Sequence, residues 1–155
     1  MNPKITHVFF LGLIILSAPI YAASPAPAEP AISAQSAIEL GENLARTIVS
    51  MTDGVSYDEL SGSDPRIAKA GAWLAKTAAA SGLEEEQVAA SSIKLSRYLF
   101  DALQVRATPM ETLEALARFT AKGKPISDTT AAYFEARKTA AGKSHAEAMA
   151  ALAKK

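Results

Sequence analysis

Residues 81–106 read "SGLEEEQVAASSIKLSRYLFDALQVR". At about 100° per residue, Val88, Leu95, Leu99 and Leu103 fall on one stripe. Tyr98 and Val105 lie to one side of it, Ile93 and Phe100 to the other. Only Lys94, Arg97, Asp101 and Gln104 keep a strip polar. A helix apolar over so much of its circumference should be surrounded by other helices. The stretch therefore predicts an all-α fold: a single compact bundle of five to six helices around a central helix at about 84–106, with no β-sheet. Glu84, Glu85 and Glu86 suit the positive end of that helix's dipole.

The surrounding chain is punctuated for helices. Ser or Thr followed three residues later by Glu forms a reciprocal cap, the hydroxyl taking one free amide and the carboxylate another. The pattern stands at Ser36–Glu39, Ser56–Glu59, Ser81–Glu84, Thr108–Glu111 and Ser144–Glu147. Pro65 and Pro109 each follow a capping residue, where a missing N–H costs nothing. Gly82, Gly123 and Gly142 stand where helices should end. Period-2 runs of β-branched residues are missing, so no strand is expected. The helices are expected at about 34–51, 65–81, 84–106, 109–122, 128–141 and 145–153, with one further turn near 57–61. Ala37, Leu40, Leu44, Ile48 and Met51 mark the apolar face of the first. The 33 alanines let helices approach closely.

The amino-terminal residues read differently. "MNPKITHVFFLGLIILSAPIYAAS" carries Lys4, an apolar run of about 13 residues and then small residues. That run is shorter than the ~20 residues a membrane-spanning helix needs. Residues 1–22 are expected to be a cleaved secretory signal peptide, cut after Ala22 or Ala23. The Pro/Ala-rich residues 23–33, containing "SPAPAEPAI", are expected to be a disordered linker because proline fixes φ and donates no hydrogen bond. Residues 34–155 are then the all-α domain, in a protein that is periplasmic or secreted and not stably inserted in a membrane after cleavage.

Composition narrows the chemistry. Without Lys4 the chain has fifteen basic residues against sixteen acidic ones, which gives no electrostatic reason to expect nucleic acid or an anionic membrane. With no cysteine, disulfides, thiolate catalysis and cysteine-ligated metals are excluded. His145 is the one histidine beyond the signal segment, so a multi-histidine zinc site is excluded as well. His145 reads as a solvated residue at a helix start, with Glu147 as its one local carboxylate. Ser91, Ser92 and Ser96 read as small residues that allow helix packing, since no nucleophile elbow, P-loop or dinucleotide fingerprint occurs. No cofactor is expected.

Two places remain as candidates. The segment "TDGVSYDELSGSDP", residues 52–65, is the longest between helices, and long loops in compact domains are often functional. It presents Tyr57, Asp58 and Glu59, with Asp53 and Asp64 at its ends. Paired carboxylates are the chemistry of a glycosidase-type hydrolase or a calcium site. Each acid also has a plainer role in a turn or cap. The second place is the helix "DPRIAKAGAWLAKTAAASG", residues 64–82. Ile67, Ala70, Gly71, Leu74 and Ala78 form its core face. Trp73 lies roughly 100–120° from that face's centre, in line with Arg66, Lys69 and Lys76. Trp73 is thus either a flank residue covered by lysine stems or an interface anchor with a basic rim. The expected function is a non-catalytic protein-binding module. It would act by occlusion on another periplasmic or incoming protein, as an inhibitor or immunity-type protein or a chaperone or adaptor. The alternatives are a small secreted hydrolase or effector using the carboxylates of 53–64, and a helical carrier of a small ligand.

Overall fold

The computed structural model describes residues 34–139 and 144–154, with side chains from residue 40 onward. The expected signal peptide, linker, Ser36–Glu39 cap pair and Gly142 terminator lie outside the described residues or side chains. Among the described residues the regular structure is six α-helices and one 3-10 turn, without a strand. The order is α1 (Ala34–Asp53), the turn Tyr57–Glu59, α2 (Pro65–Ser81), α3 (Glu85–Leu103), α4 (Pro109–Phe119), α5 (Ile126–Thr139) and α6 (His145–Leu152).

Caps explain most boundaries. Asp64 Oδ1 accepts from the Arg66 amide at 2.9 Å, with Pro65 in the first turn of α2. Thr108 Oγ1 accepts from the Glu111 amide at 3.2 Å, and Glu111 Oε2 accepts from the Thr108 amide at 2.9 Å. Ser144 and Glu147 form the same box on α6, and Ser56 and Glu59 form it on the 3-10 turn. The Ser81–Glu84 pair does not. Gly82 takes a left-handed φ of 73° and ends α2 there. Ser81 is left as the last residue of α2, its hydroxyl donating to the Thr77 carbonyl at 2.8 Å. Glu84 itself caps α3, its amide donating to Gln87 Oε1 at 3.1 Å.

Two helix ends also fall earlier than the sequence implies. The helix α3 closes at Leu103 because Gln104 adopts φ 55°, a left-handed turn that usually recruits glycine. α4 stops at Phe119, so Gly123 is not its terminator. Gly123 lies in the turn before α5 and donates its amide to the Ala80 carbonyl at 2.9 Å, tying that turn to the end of α2.

The most extensive pairings are α1 with α2, α3 with α4 and α5 with α6, three consecutive helical hairpins. They bury two apolar clusters. The first holds Ala45, Ile48 and Val49 of α1, Ile67, Ala70 and Leu74 of α2, Val88 of α3 and Leu113 of α4. The second holds Leu95 and Leu99 of α3, Ala115 of α4, Tyr133 of α5 and Ala148, Met149 and Leu152 of α6. α1, α2, α4 and α5 all pack on α3, as the apolar stripe implies. α4 shares that central place, since it touches every other helix. Its Thr112 hydroxyl, fully buried, donates to the Ser92 carbonyl of α3 at 2.9 Å. Its Met110 amide, otherwise a free donor of the first turn, is accepted by Thr52 Oγ1 of α1 at 3.1 Å.

α3 is less enclosed than its composition implies, because Tyr98 and Phe100 are 56% and 47% exposed. The face of α1 is also rotated from the expected one. Ala45, Ile48 and Val49 are buried, whereas Leu40 and Met51 are exposed. Ile48 is buried and Leu44 packs on the first cluster as expected, but packing against α2 brings in Ala45 and Val49 in place of Leu40 and Met51.

Candidate functional site

The 52–64 loop is fastened at both ends. Arg66 Nη2 lies 2.7 Å from Asp53 Oδ2 at the end of α1 and 2.7 Å from Asp64 Oδ2 at the start of α2. The hydrogen bonds from the Arg66 side chain and then its amide hold the Asp64 carboxyl below the usual carboxylate range. Asp64 and then Asp53 push the Arg66 guanidinium up in return. Tyr57 is half-buried, not presented to solvent: its hydroxyl donates to Asn43 Oδ1 at 2.6 Å and the Arg46 guanidinium covers its ring at 4.6 Å. Arg46 also donates to the Leu60 carbonyl. Glu59 is taken by its cap on Ser56, and Asp58 is exposed. The structure thus brings Asp53 and Asp64 together, but around a shared arginine. Among the described residues no three metal-ligating side chains converge.

Trp73 is half-buried against the first apolar cluster, and the Lys69 ammonium sits 4.6 Å from its ring centre. Lys76 is exposed on the next turn. Arg66, at the head of the same line, is directed to the loop instead. Trp73→Ala is expected to lower stability by about 2 kcal/mol, below the 3–5 kcal/mol of a fully enclosed tryptophan. Chemical denaturation checks this; an unchanged midpoint would mean the ring rests on nothing.

Beside the fastened loop, α1 and α2 leave an open groove of about 650 Å³. Gly41 of α1 and Ala68, Gly71 and Ala72 of α2 line it, with Glu42 and Glu85 among its carboxylates. It runs along the face of α2 that also carries Ile67 and reaches Gly62 and Pro65 of the loop. The sequence marks the loop and α2 as candidates but not this groove. A groove of this kind depends on how two helices cross, which small residues permit but do not announce.

A second arrangement has no counterpart in the sequence reading. His145 is not a solvated helix-start residue; its side chain is 18% exposed. Its Nδ1 lies 2.8 Å from the Tyr133 hydroxyl and its Nε2 lies 3.3 Å from Glu114 Oε2. Arg137 Nη1 donates to the same Tyr133 oxygen at 2.9 Å, and Arg137 Nη2 donates to the Arg106 carbonyl at 2.9 Å. Arg137 fills one lone pair of that oxygen, and a neutral His145 is satisfied when the hydroxyl donates to its Nδ1. In the neutral ring Nε2 then carries the hydrogen and donates to Glu114. Tyr133 is 0% exposed, and burial pushes its hydroxyl up to about 12. Both imidazole nitrogens are engaged, so the ring has none free to act as a base on a ligand. The arrangement fastens α6 to α4 and α5. The orienting carboxylate, Glu114, stands 31 residues from His145, beyond any local reading of the chain.

The chain matches no family model, no curated protein and no solved structure.

Proposed function

We propose that this chain is an exported, non-catalytic protein-binding module that acts by occlusion, in the manner of an inhibitor, an immunity-type protein or a small chaperone or adaptor. The α1–α2 groove carries this reading: it is open to solvent, lined by two helices packed on each other and continuous with an anchored loop. A preformed groove lowers the ordering cost of docking a partner. Of the four carboxylates a hydrolase reading relies on, Asp53, Glu59 and Asp64 are committed to Arg66 or to a cap, and Asp58 is exposed. Small-ligand carriage is the second reading. Its support is the groove's volume, which falls within the ~300–1,000 Å³ of small-molecule sites.

The test is a photocrosslinking amino acid at Ala72, which lines the groove, in the full chain made by the native cells, with Lys122 as the remote control position. One dominant protein adduct at position 72 and none at 122 is expected, identified by mass spectrometry. Equal labelling at both positions, or none at 72, sinks the binding-module reading.

A further inference from the structure

The groove has a chemical bias of its own. Glu42 is exposed and Glu85 half-buried at its edge, and neither has a cationic partner among the described residues. Two carboxylates with no such partner leave this edge of the groove negative, which an incoming cation would complement. Glu85 lies in the first turn of α3, where the dipole favours a negative charge, yet its carboxylate is laid across onto α1. A Cβ on Gly41 would stand 3.0 Å from Glu85 Oε2, so a side chain there would make the carboxylate give by a few tenths of an ångström.

Glycine inside a helix costs stability relative to alanine. Neither Gly41 nor Gly71 takes a positive φ, so neither answers a backbone need. Nor does helix packing require Gly71: a Cβ there would meet Ala45 Cβ at 3.9 Å, an ordinary contact. Both glycines face the same groove. Both positions are ones where alanine would raise helix propensity, and both leave the groove free of a side chain.

We propose that the α1–α2 groove takes a lysine- or arginine-bearing segment of a protein partner. The aliphatic stem would lie along Ala68, Gly71 and Ala72, and the cation would reach Glu42 and Glu85. This rests on the binding-module reading and specifies the partner's chemistry.

The test uses a fluorescein-labelled lysine–alanine decapeptide and its glutamate–alanine counterpart, read by anisotropy at low salt on the full chain. The lysine peptide is expected to bind and the glutamate peptide not to bind. The double variant Glu42→Gln, Glu85→Gln should weaken the lysine peptide at least about tenfold, as loss of a paired charge does. Gly71→Leu should weaken it by filling the groove. Gly41→Ala, which crowds the Glu85 carboxylate by a few tenths of an ångström, should weaken it more modestly while melting no lower than the natural chain. That combination separates a lost site from a lost fold. Equal lysine-peptide binding with and without the two carboxylates, or no binding at millimolar peptide, overturns the proposal. If the Ala72 crosslink still captures one protein, the binding-module reading stands and only the basic occupant falls. If the peptide binds as expected but no partner is captured, the groove chemistry stands and the module reading falls.

Discussion

Leu113→Ala is expected to lower the stability of this fold by about 3 kcal/mol, within the 2–5 kcal/mol range of buried leucine truncations. Leu113 is fully buried in the first apolar cluster, on a helix that touches all five others. Collapse around the vacated volume would require α4 to move toward α1 and α2. It is held off by Thr112 on the Ser92 carbonyl and by Thr52 on the Met110 amide. The cavity term should therefore persist. Against a whole stability of about 5–15 kcal/mol for an ordinary domain, this is a large share. Phe100→Ala is the matched control: its larger side chain is 47% exposed, and the change should stay near 0.5 kcal/mol. Denaturant midpoints at constant slope check both. A Phe100→Ala loss as large as that of Leu113→Ala would move the centre of the bundle from α4 to the outer face of α3.

Tyr133→Phe is the second large effect, and it removes a single oxygen. The variant keeps the ring in the second cluster but leaves the buried Arg137 Nη1 and the largely covered His145 Nδ1 without their shared partner. Orphaning buried donors and acceptors costs about 1–3 kcal/mol each, so a loss of roughly 2 kcal/mol or more is expected. The pH dependence gives a second readout. The folded-state value of Tyr133 is about 12, above the ~10 of an unfolded tyrosine. The neutral hydroxyl is thus favoured by folding. Its contribution is complete below about pH 10 and is lost as pH rises through about 12. Two pKa units correspond to about 2–3 kcal/mol. The natural chain should therefore lose stability between pH 10 and 12 more steeply than Tyr133→Phe does. Parallel curves would show that the Tyr133 hydroxyl is not held in this way. Nitrogen-15 spectra of the natural chain should also report the neutral His145 ring as the Nε2–H tautomer.

The sequence discloses helices better than it discloses what holds them together. Asp64–Pro65 and Thr108–Pro109 place two helix starts where the structure has them, because a cap and a first-turn proline act within four residues. The same local logic finds the start of α3 but assigns it the wrong cap, since Ser81 and Glu84 have the right spacing but Gly82 has already turned the chain and Glu84 caps with Gln87. Burial is legible where one face is unambiguous, as for Ile67, Ala70 and Leu74. It is only partly legible on α1, where packing brings in Ala45 and Val49 in place of Leu40 and Met51. The fastened loop was visible as a loop, but Arg66 bridging Asp53 and Asp64 depends on bringing the ends of α1 and α2 side by side. The Glu114–His145–Tyr133–Arg137 chain was invisible for the same reason on a larger scale, since its members come from three helices.

The succession of three helical hairpins bears on how the chain reaches this state. Each of the largest interfaces joins a helix to its immediate successor, so the dominant contacts are local in sequence, and closure entropy grows only slowly with loop length even across 54–64. Topologies of this kind reach the native state in microseconds to milliseconds. Such speed leaves only a brief interval in which Leu113, Leu116 and their neighbours stand open to aggregation.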